Sequence, residues 1–173
     1  MKVYTILFLL LLVSVSSFAQ SSKKKNKHNY MILINDTSFV NAMPEQGATL
    51  KAYFINDTIS EIKTWFGFNF GEVTRDYFYW DDTLIVVNET QKLYSATAVP
   101  KVNADTIKAS YTGRYLFKHG QLSDISQKGS YSISDTPANK DETNAVLTSL
   151  SDKYKRLVYA KRERKKNRLP YDK

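Results

Sequence analysis

From Tyr30 to about Ile133 the apolar residues fall in short runs, and polar turn-forming residues separate these runs at fairly even spacing. Runs rich in Val, Ile, Thr, Tyr, Phe and Trp that are bounded by Asn, Asp and Gly are typical of β-strands joined by tight turns. The pattern predicts a mainly β fold, an antiparallel meander of roughly eight strands. The predicted turn strings are Ile34-Asn35-Asp36-Thr37, Ile55-Asn56-Asp57-Thr58, Trp80-Asp81-Asp82-Thr83, Asn103-Ala104-Asp105-Thr106 and Lys118-His119-Gly120-Gln121.

Several of the predicted strands are apolar on both faces. Phe78 and Trp80 point opposite to Tyr77 and Tyr79, because alternate strand residues face alternate sides of a sheet. A sheet that is apolar on both sides needs two covers. We expect a C-terminal helix to be one cover, and sheet curvature, a second sheet or a partner to be the other.

The apolar period changes near the C-terminus. Pro137 ends the β pattern and Asp141 is a good N-cap. Beyond Ala160 the sequence is almost purely charged. We therefore predict one amphipathic α-helix over residues 136–160 and a basic tail over residues 161–173. Apolar residues at helical spacing are Val146, Leu147, Leu150, Tyr154, Leu157 and Val158.

Residues 1–19 have the pattern of a secretory signal peptide. Lys2 precedes an apolar run over residues 6–13, and small residues lead to Ala19, after which cleavage is predicted. An uncleaved anchor is the alternative, although the apolar run is short for a membrane span. Cleavage predicts a periplasmic or secreted protein with a disordered basic leader over residues 20–28 and a sheet domain over residues 29–135.

Composition narrows the function classes. The chain has 173 residues and no cysteine, which excludes disulfides, a thiol nucleophile and a lipid-bearing cysteine. The net charge of +8 is concentrated at the ends, since residues 29–151 carry ten Lys and Arg against fourteen Asp and Glu. A basic footprint over the whole domain, as nucleic acid binding requires, is therefore not expected.

Candidate catalytic groups are few. The two histidines, His28 and His119, fall in the leader and in a predicted turn. The best group of carboxylates combines Glu72 and Asp76 with the pair Asp81-Asp82. Glycosidase-type chemistry needs one carboxyl group with a raised pKa, and a pair exposed in a turn would not be perturbed in this way. No cofactor or metal motif appears, and we predict that the protein is not an enzyme.

The densest aromatic stretch covers residues 65–71. Exposed aromatic side chains on a sheet can stack on sugars or anchor a protein partner, although a small β domain also needs large core residues. Gly67 and Gly71 suggest a loop, so Trp65 and Phe68 are the candidate binding residues.

Two segments resemble a known group of proteins. They are LKAYFINDTISEIKTWFGFNFGEVTRDYFYWDDTLIVVNETQKLY, residues 50–94, and GRYLFKHGQLSDI, residues 113–125. They resemble small exported proteins of unknown function from Gram-negative bacteria of the Bacteroidota type, with repeated YF-turn-L/I hairpins. The resemblance implies a β-hairpin fold and export, and it implies no catalytic residues.

Three turns share the tripeptide Asp-Thr-aliphatic, at Thr58, Thr83 and Thr106. This tripeptide resembles the acceptor signal for periplasmic O-glycosylation in the same lineage, and exposed turns are accessible to enzymes. The alternative is structural, because Asp-Thr opens a turn and the aliphatic residue begins the next strand.

The leading hypothesis is a non-catalytic exported β-sheet module that binds a protein or an envelope glycan. One alternative is an envelope hydrolase or a hydrolase inhibitor, which would place Asp76 and Asp82 in one cleft. Another is a self-associating structural sheet, such as a homodimer. The basic tail is expected either to contact an anionic envelope surface or to be solvated, and no nucleic acid partner is predicted.

Overall fold

A single antiparallel sheet with one helix packed on it forms the structure. The computed structural model describes residues 30–94, 109–130, 133 and 139–166. Within these residues the sheet has seven strands in sequential order, a meander, so the predicted mainly β fold with one C-terminal helix is confirmed. The elements are β1 (Tyr30–Ile34), a 3-10 helix (Thr37–Phe39), β2 (Gly47–Ile55), β3 (Thr58–Phe68), β4 (Gly71–Trp80), β5 (Thr83–Leu93), β6 (Tyr111–Lys118), β7 (Gln121–Gly129) and α1 (Lys140–Lys166).

Three hairpins share the same two-residue turn. The turns Asn56-Asp57, Asp81-Asp82 and His119-Gly120 have positive φ at both residues, from 49° to 75°. This backbone matches the twist of the flanking strands, and Asn, Asp and Gly tolerate it best. The polar dipeptides seen in the sequence therefore fix the hairpins β2–β3, β4–β5 and β6–β7.

Each of these hairpins also contains a one-residue β-bulge soon after its turn. The unpaired residues are Ser60, Ile85 and Ser123, where the strand register shifts. The hydroxyls of Ser60 and Ser123 donate to the carbonyls of Tyr53 and Leu116 at 3.1 and 3.0 Å. Bulges increase strand twist, so the repeated hairpins twist the sheet in the same way.

The string Ile34-Asn35-Asp36-Thr37 does not form a hairpin turn. Asp36 instead caps the 3-10 helix, because its Oδ1 accepts a hydrogen bond from the Ser38 N–H at 2.9 Å. Asp and Asn favour helix N-caps as much as turns, which explains why the sequence alone did not separate the two.

One face of the sheet is covered by α1. Tyr154 lies at the centre of this contact, with its ring 5.6 Å from Tyr77 and 6.3 Å from Phe39. The hydroxyls of Tyr79 and Ser151 are hydrogen-bonded at 3.0 Å, and Val158 is completely buried. The hydrophobic core therefore lies between α1 and this face.

The bounds of α1 differ from the predicted range. Asn139 is the capping residue, because its Oδ1 accepts from the Glu142 N–H at 2.9 Å, and Asp141 lies in the first turn. The helix continues past Ala160 to Lys166. Arg162 holds this last part against the sheet, with its guanidinium 5.5 Å from the Phe54 ring.

We call the other side of the sheet the open face, since no described helix packs on it. The sequence predicts a cover for each face of the sheet, and the described residues supply one of them, α1. Within that part of the chain no helix is long and apolar enough to cross a membrane. Residues in one cross-strand row of the open face are Met31, Tyr53, Glu61, Phe78, Val86 and Leu116.

Candidate functional site at the edge strand β1

The hydrogen-bonding direction of β2 follows from its turn. Ile55 and Thr58 flank a two-residue turn and therefore form a hydrogen-bonded pair, so Ile55 directs its backbone groups to β3. Antiparallel strands alternate these directions from residue to residue. Phe54, Ala52 and Leu50 therefore direct their N–H and C=O groups to β1.

Among the residues that the structure describes, the backbone groups on the outer edge of β1 have no partner. Tyr30, Ile32 and Ile34 lie opposite the three bonding residues of β2, so their backbone groups are used inside the sheet. Met31 and Leu33 direct their N–H and C=O groups away from β2, where no described strand lies. Their side chains are also exposed, by 44% and 42%. An apolar strand edge is thus open to pairing.

A groove of about 680 Å³ lies between β1 and the C-terminal half of α1. We call it the edge groove. Its walls are residues 31–34 of β1 and, from α1, Leu157, Ala160, Lys161, Arg164 and Lys165. Residues three and four apart share one side of a helix, so the α1 wall is one continuous strip. The strip is apolar at Leu157 and Ala160 and basic beyond them.

The charge of the edge groove is positive. Lys161 Nζ lies 3.7 Å from Asp36 Oδ2, the one acidic side chain among the described residues that line the groove. Hydrogen bonds from Ser38, with a smaller contribution from Lys161, hold the pKa of Asp36 below its usual value. Arg164 and Lys165 are exposed and make no ion pair with any described residue. Two cations therefore remain available at the groove.

Trp65 lies on the open face and not in the edge groove. Its ring packs over Gly67, where an added Cβ would come within 2.5 Å of the indole, and its Nε1–H donates to Glu72 Oε2 at 2.9 Å. Burial acts to raise the pKa of Glu72, but hydrogen bonds from Trp65, Lys92 and Tyr94 outweigh it and hold the pKa below its usual value. Trp65 is therefore a fixed side chain of a satisfied polar cluster.

The structure does not bring Phe68 and Trp65 together. Phe68 is the last residue of β3, lies on the side of the sheet opposite to Trp65, and stacks on Phe70 at 5.5 Å. The expectation of a loop over residues 65–71 is wrong, because β3 runs to Phe68 and β4 begins at Gly71. Gly67 serves the close approach of an indole ring and not a loop conformation.

Two of the three candidate threonines lie where the sequence predicts, directly after turns. Thr58 and Thr83 are the first residues of β3 and β5, and each hydroxyl is 3.4 Å from the carbonyl two residues earlier. Thr83 is exposed and Thr58 is half-buried. Thr106 lies outside the described residues.

The candidate carboxylates lie apart. Asp76 is on the open face, 3.5 Å from Lys63, whereas Asp82 accepts a hydrogen bond from the Tyr159 hydroxyl of α1 at 2.6 Å. The two therefore do not face each other across one cleft. His119 occupies its predicted turn. In the described part of the chain, no group of three His, Cys, Asp or Glu residues could hold a metal ion.

A buried ion pair lies on the covered face. Arg75 Nε donates to Glu89 Oε2 at 2.9 Å, and Gln91 Nε2 donates to Glu89 Oε1 at 2.7 Å. Because both carboxylate oxygens of Glu89 accept hydrogen bonds from neighbouring strand residues, the role of this carboxylate is structural.

The edge groove is the feature that sequence reasoning missed. The available signal was the position of the run Tyr30–Ile34, since the first strand of a meander is an edge strand. The basic residues that face it are about 130 residues away, at the start of the segment that the sequence predicts as a basic tail, either solvated or in contact with an anionic envelope surface. Comparison of the chain with family models, curated proteins and solved structures found no match.

Proposed function

We propose that this chain is an exported, non-catalytic β-sheet module that binds a segment of another protein in the edge groove. One observation carries the proposal: the outward backbone groups of Met31 and Leu33 lie beside a groove with a helical opposite wall. Recognition by strand addition uses such an edge, with main-chain hydrogen bonds for affinity and pockets for alternate side chains.

Two further observations support the other parts of the proposal. The signal-peptide pattern of residues 1–19, which lie outside the described residues, supports export. The separation of Asp76 from Asp82, and the engagement of Asp82 by Tyr159, support a role without catalysis.

The lining of the edge groove favours a protein segment over a glycan. Sugars are commonly held by aromatic faces, and the groove walls are aliphatic and basic. An extended peptide can use the unpaired N–H and C=O groups of β1 whatever its sequence.

A glycan remains the second candidate ligand, at a different place. Trp65 presents a fixed indole on the open face, and the hydrogen bond from its Nε1 to Glu72 keeps the ring oriented. Binding of envelope glycans on an array should be lost in Trp65→Ala and retained in Phe68→Ala. Equal binding by both variants would remove this candidate.

The groove is tested with a matched pair of variants and a library of extended peptides. Leu33→Pro removes the outward N–H but no hydrogen bond to β2, and proline is tolerated on edge strands. Leu33→Ala removes the same side chain and keeps the N–H. Peptides selected on the wild-type protein should bind Leu33→Pro about tenfold more weakly than Leu33→Ala, because a main-chain hydrogen bond is lost.

A second measurement is independent of how well the proline variant folds. N-methylation of each peptide amide in turn should weaken binding at every second position, since alternate amides of an added strand face β1. Failure to select any peptide, or binding that is insensitive to N-methylation, would overturn the proposed function.

A further inference from the structure

We infer that the edge groove selects an extended segment with acidic side chains on one side, which pairs with β1 as an additional strand of the sheet. This inference rests on the proposed function, since it names the chemistry of the segment that the groove binds.

The position of an added strand follows from sheet geometry. It would lie about 4.8 Å from β1, and its side chains would alternate between the two faces of the sheet. One set would extend the open face beside Met31 and Leu33. The other set would lie on the α1 side, next to Ile32 and Ile34, and would meet the strip of α1 that forms the groove wall.

The charge of that wall decides which side chains fit. In the described lining of the groove, Lys161, Arg164 and Lys165 face one carboxylate, that of Asp36. Arg162 is not available, because its guanidinium is held by Asp57 at 3.1 Å and packs on Phe54. Acidic residues at alternate positions of the segment would therefore meet unneutralised cations, and basic residues would be repelled.

A second copy of this chain fits the groove less well. Antiparallel pairing of two β1 edges across a two-fold axis would place both α1 helices on the same face of a continuous sheet. Arg164 and Lys165 of each copy would then face the same cations of the other, and the run Tyr30–Ile34 carries no acidic residue to offset them. Charge complementarity favours an acidic partner.

Three synthetic peptides of about seven residues test the inference, a length that covers a typical strand. They alternate Val with Glu, Val with Gln, or Val with Lys, and binding is measured by fluorescence anisotropy. The Glu peptide should bind about tenfold more tightly than the Gln peptide, and this difference should shrink at high ionic strength.

Charge reversal supplies the protein-side control. Arg164→Glu combined with Lys165→Glu should shift the preference from the Glu peptide to the Lys peptide. Lys153→Glu combined with Arg156→Glu changes the net charge of α1 equally, outside the groove lining, and should leave the preference for the Glu peptide in place.

The outcomes separate the inference from the proposed function. Equal binding of the Glu and Gln peptides, with N-methylation still acting at every second position, would overturn the acidic preference and leave the peptide groove standing. Glu binding that Leu33→Pro and N-methylation do not affect would overturn strand addition. If anionic lipid vesicles bind in its place and lose binding in the charge-reversed variant, the basic strip is a membrane contact and the inference is wrong.

Discussion

The two edge strands of the sheet are built in different ways. At β7, helix α1 satisfies outward backbone groups: the Leu122 N–H donates to Asn144 Oδ1 at 2.8 Å, and Lys140 Nζ donates to the Ser123 carbonyl at 2.9 Å. From Ser126 to Gly129, β7 is exposed and carries no large apolar side chain, whereas Ile125 is half-buried against the core. At β1, in contrast, Met31 and Leu33 expose apolar side chains, and their outward backbone groups have no partner among the described residues.

This difference agrees with the binding role that we propose for β1. Exposed strand edges promote unwanted pairing, and proteins usually protect them with polar residues, charges or a covering element. Within the described ranges, the chain protects β7 in this manner and leaves β1 apolar beside a groove. Protection of one edge but not of the other is expected when the open edge has a binding role.

The largest expected effect comes from removing the contact that holds α1 on the sheet. Tyr154→Ala deletes a buried ring that packs on Tyr77 and Phe39, and should lower the free energy of unfolding by about 3–5 kcal/mol. Urea denaturation measures this loss. Arg156→Ala, an exposed position of the same helix, is the control and should stay within about 0.5 kcal/mol of wild type.

Tyr154→Ala also tests the comparison of the two edges. Helix α1 accepts the hydrogen bond of the Leu122 N–H at the start of β7, and it also forms one wall of the edge groove. Loosening α1 should therefore speed hydrogen exchange at the Leu122 amide and weaken peptide binding at the same time. A variant that loses stability but keeps full peptide binding would show that α1 is not part of the binding site.

The next largest loss of stability is expected from removing the hydrogen bond that protects the edge of β7. Asn144→Ala leaves the Leu122 N–H without its acceptor, which should cost about 1–2 kcal/mol of unfolding free energy. Hydrogen exchange should accelerate at the Leu122 amide. Ser149→Ala, exposed on the same helix, controls for the substitution, and neither variant should change binding at β1.

We expect high pH to weaken the attachment of α1 near the groove. Burial, followed by the hydrogen bond to Asp82, raises the pKa of Tyr159 from 10.0 to about 12. The folded state therefore holds this proton more tightly than the unfolded state. The resulting stabilisation is fully present below pH 10 and is lost as the pH rises towards 12.

Tyr159→Phe isolates that contribution, because other buried tyrosines also titrate at high pH. The stability difference between wild type and Tyr159→Phe should shrink between pH 10 and 12 in urea titrations. A difference that stays constant over this range would show that the hydroxyl does not titrate with the predicted linkage.

Local signals explain how much of the fold the sequence predicts. The dipeptides Asn56-Asp57 and Asp81-Asp82 define hairpins through backbone preference, and the apolar period of residues 146–158 defines α1. Both signals act within a few residues. The connection after β1 is less well predicted. The string Ile34–Thr37 has the composition of a hairpin turn, but its Asp36 caps a 3-10 helix.

The candidate site depends on contacts that local patterns do not contain. Arg164 and Leu33 line the same groove although they are 131 residues apart in the chain. Trp65 and Phe68, three residues apart in sequence, lie on opposite faces because β3 continues through Gly67. The density of aromatic residues alone does not separate the two rings: Trp65 packs over Gly67 on the open face, and Phe68 stacks on Phe70 on the other side.

The smallest expected change in stability is at the edge itself. Leu33→Glu places an acid on β1, where the side chain is 42% exposed, and should change the unfolding free energy by less than about 0.5 kcal/mol. The new carboxylate would lie beside the Val side chains of the added strand on the open face, and this should nevertheless weaken binding of the Val/Glu peptide by about threefold. Anisotropy titration measures this change.

Ile85→Glu is the matched control, with a side chain 37% exposed on the internal strand β5. It makes the same change in net charge without touching an edge, so Val/Glu peptide binding should remain near the wild-type value. Equal weakening by both variants would mean that the peptide responds to the charge of the whole domain, and the contrast between β1 and β7 would then lose its functional meaning.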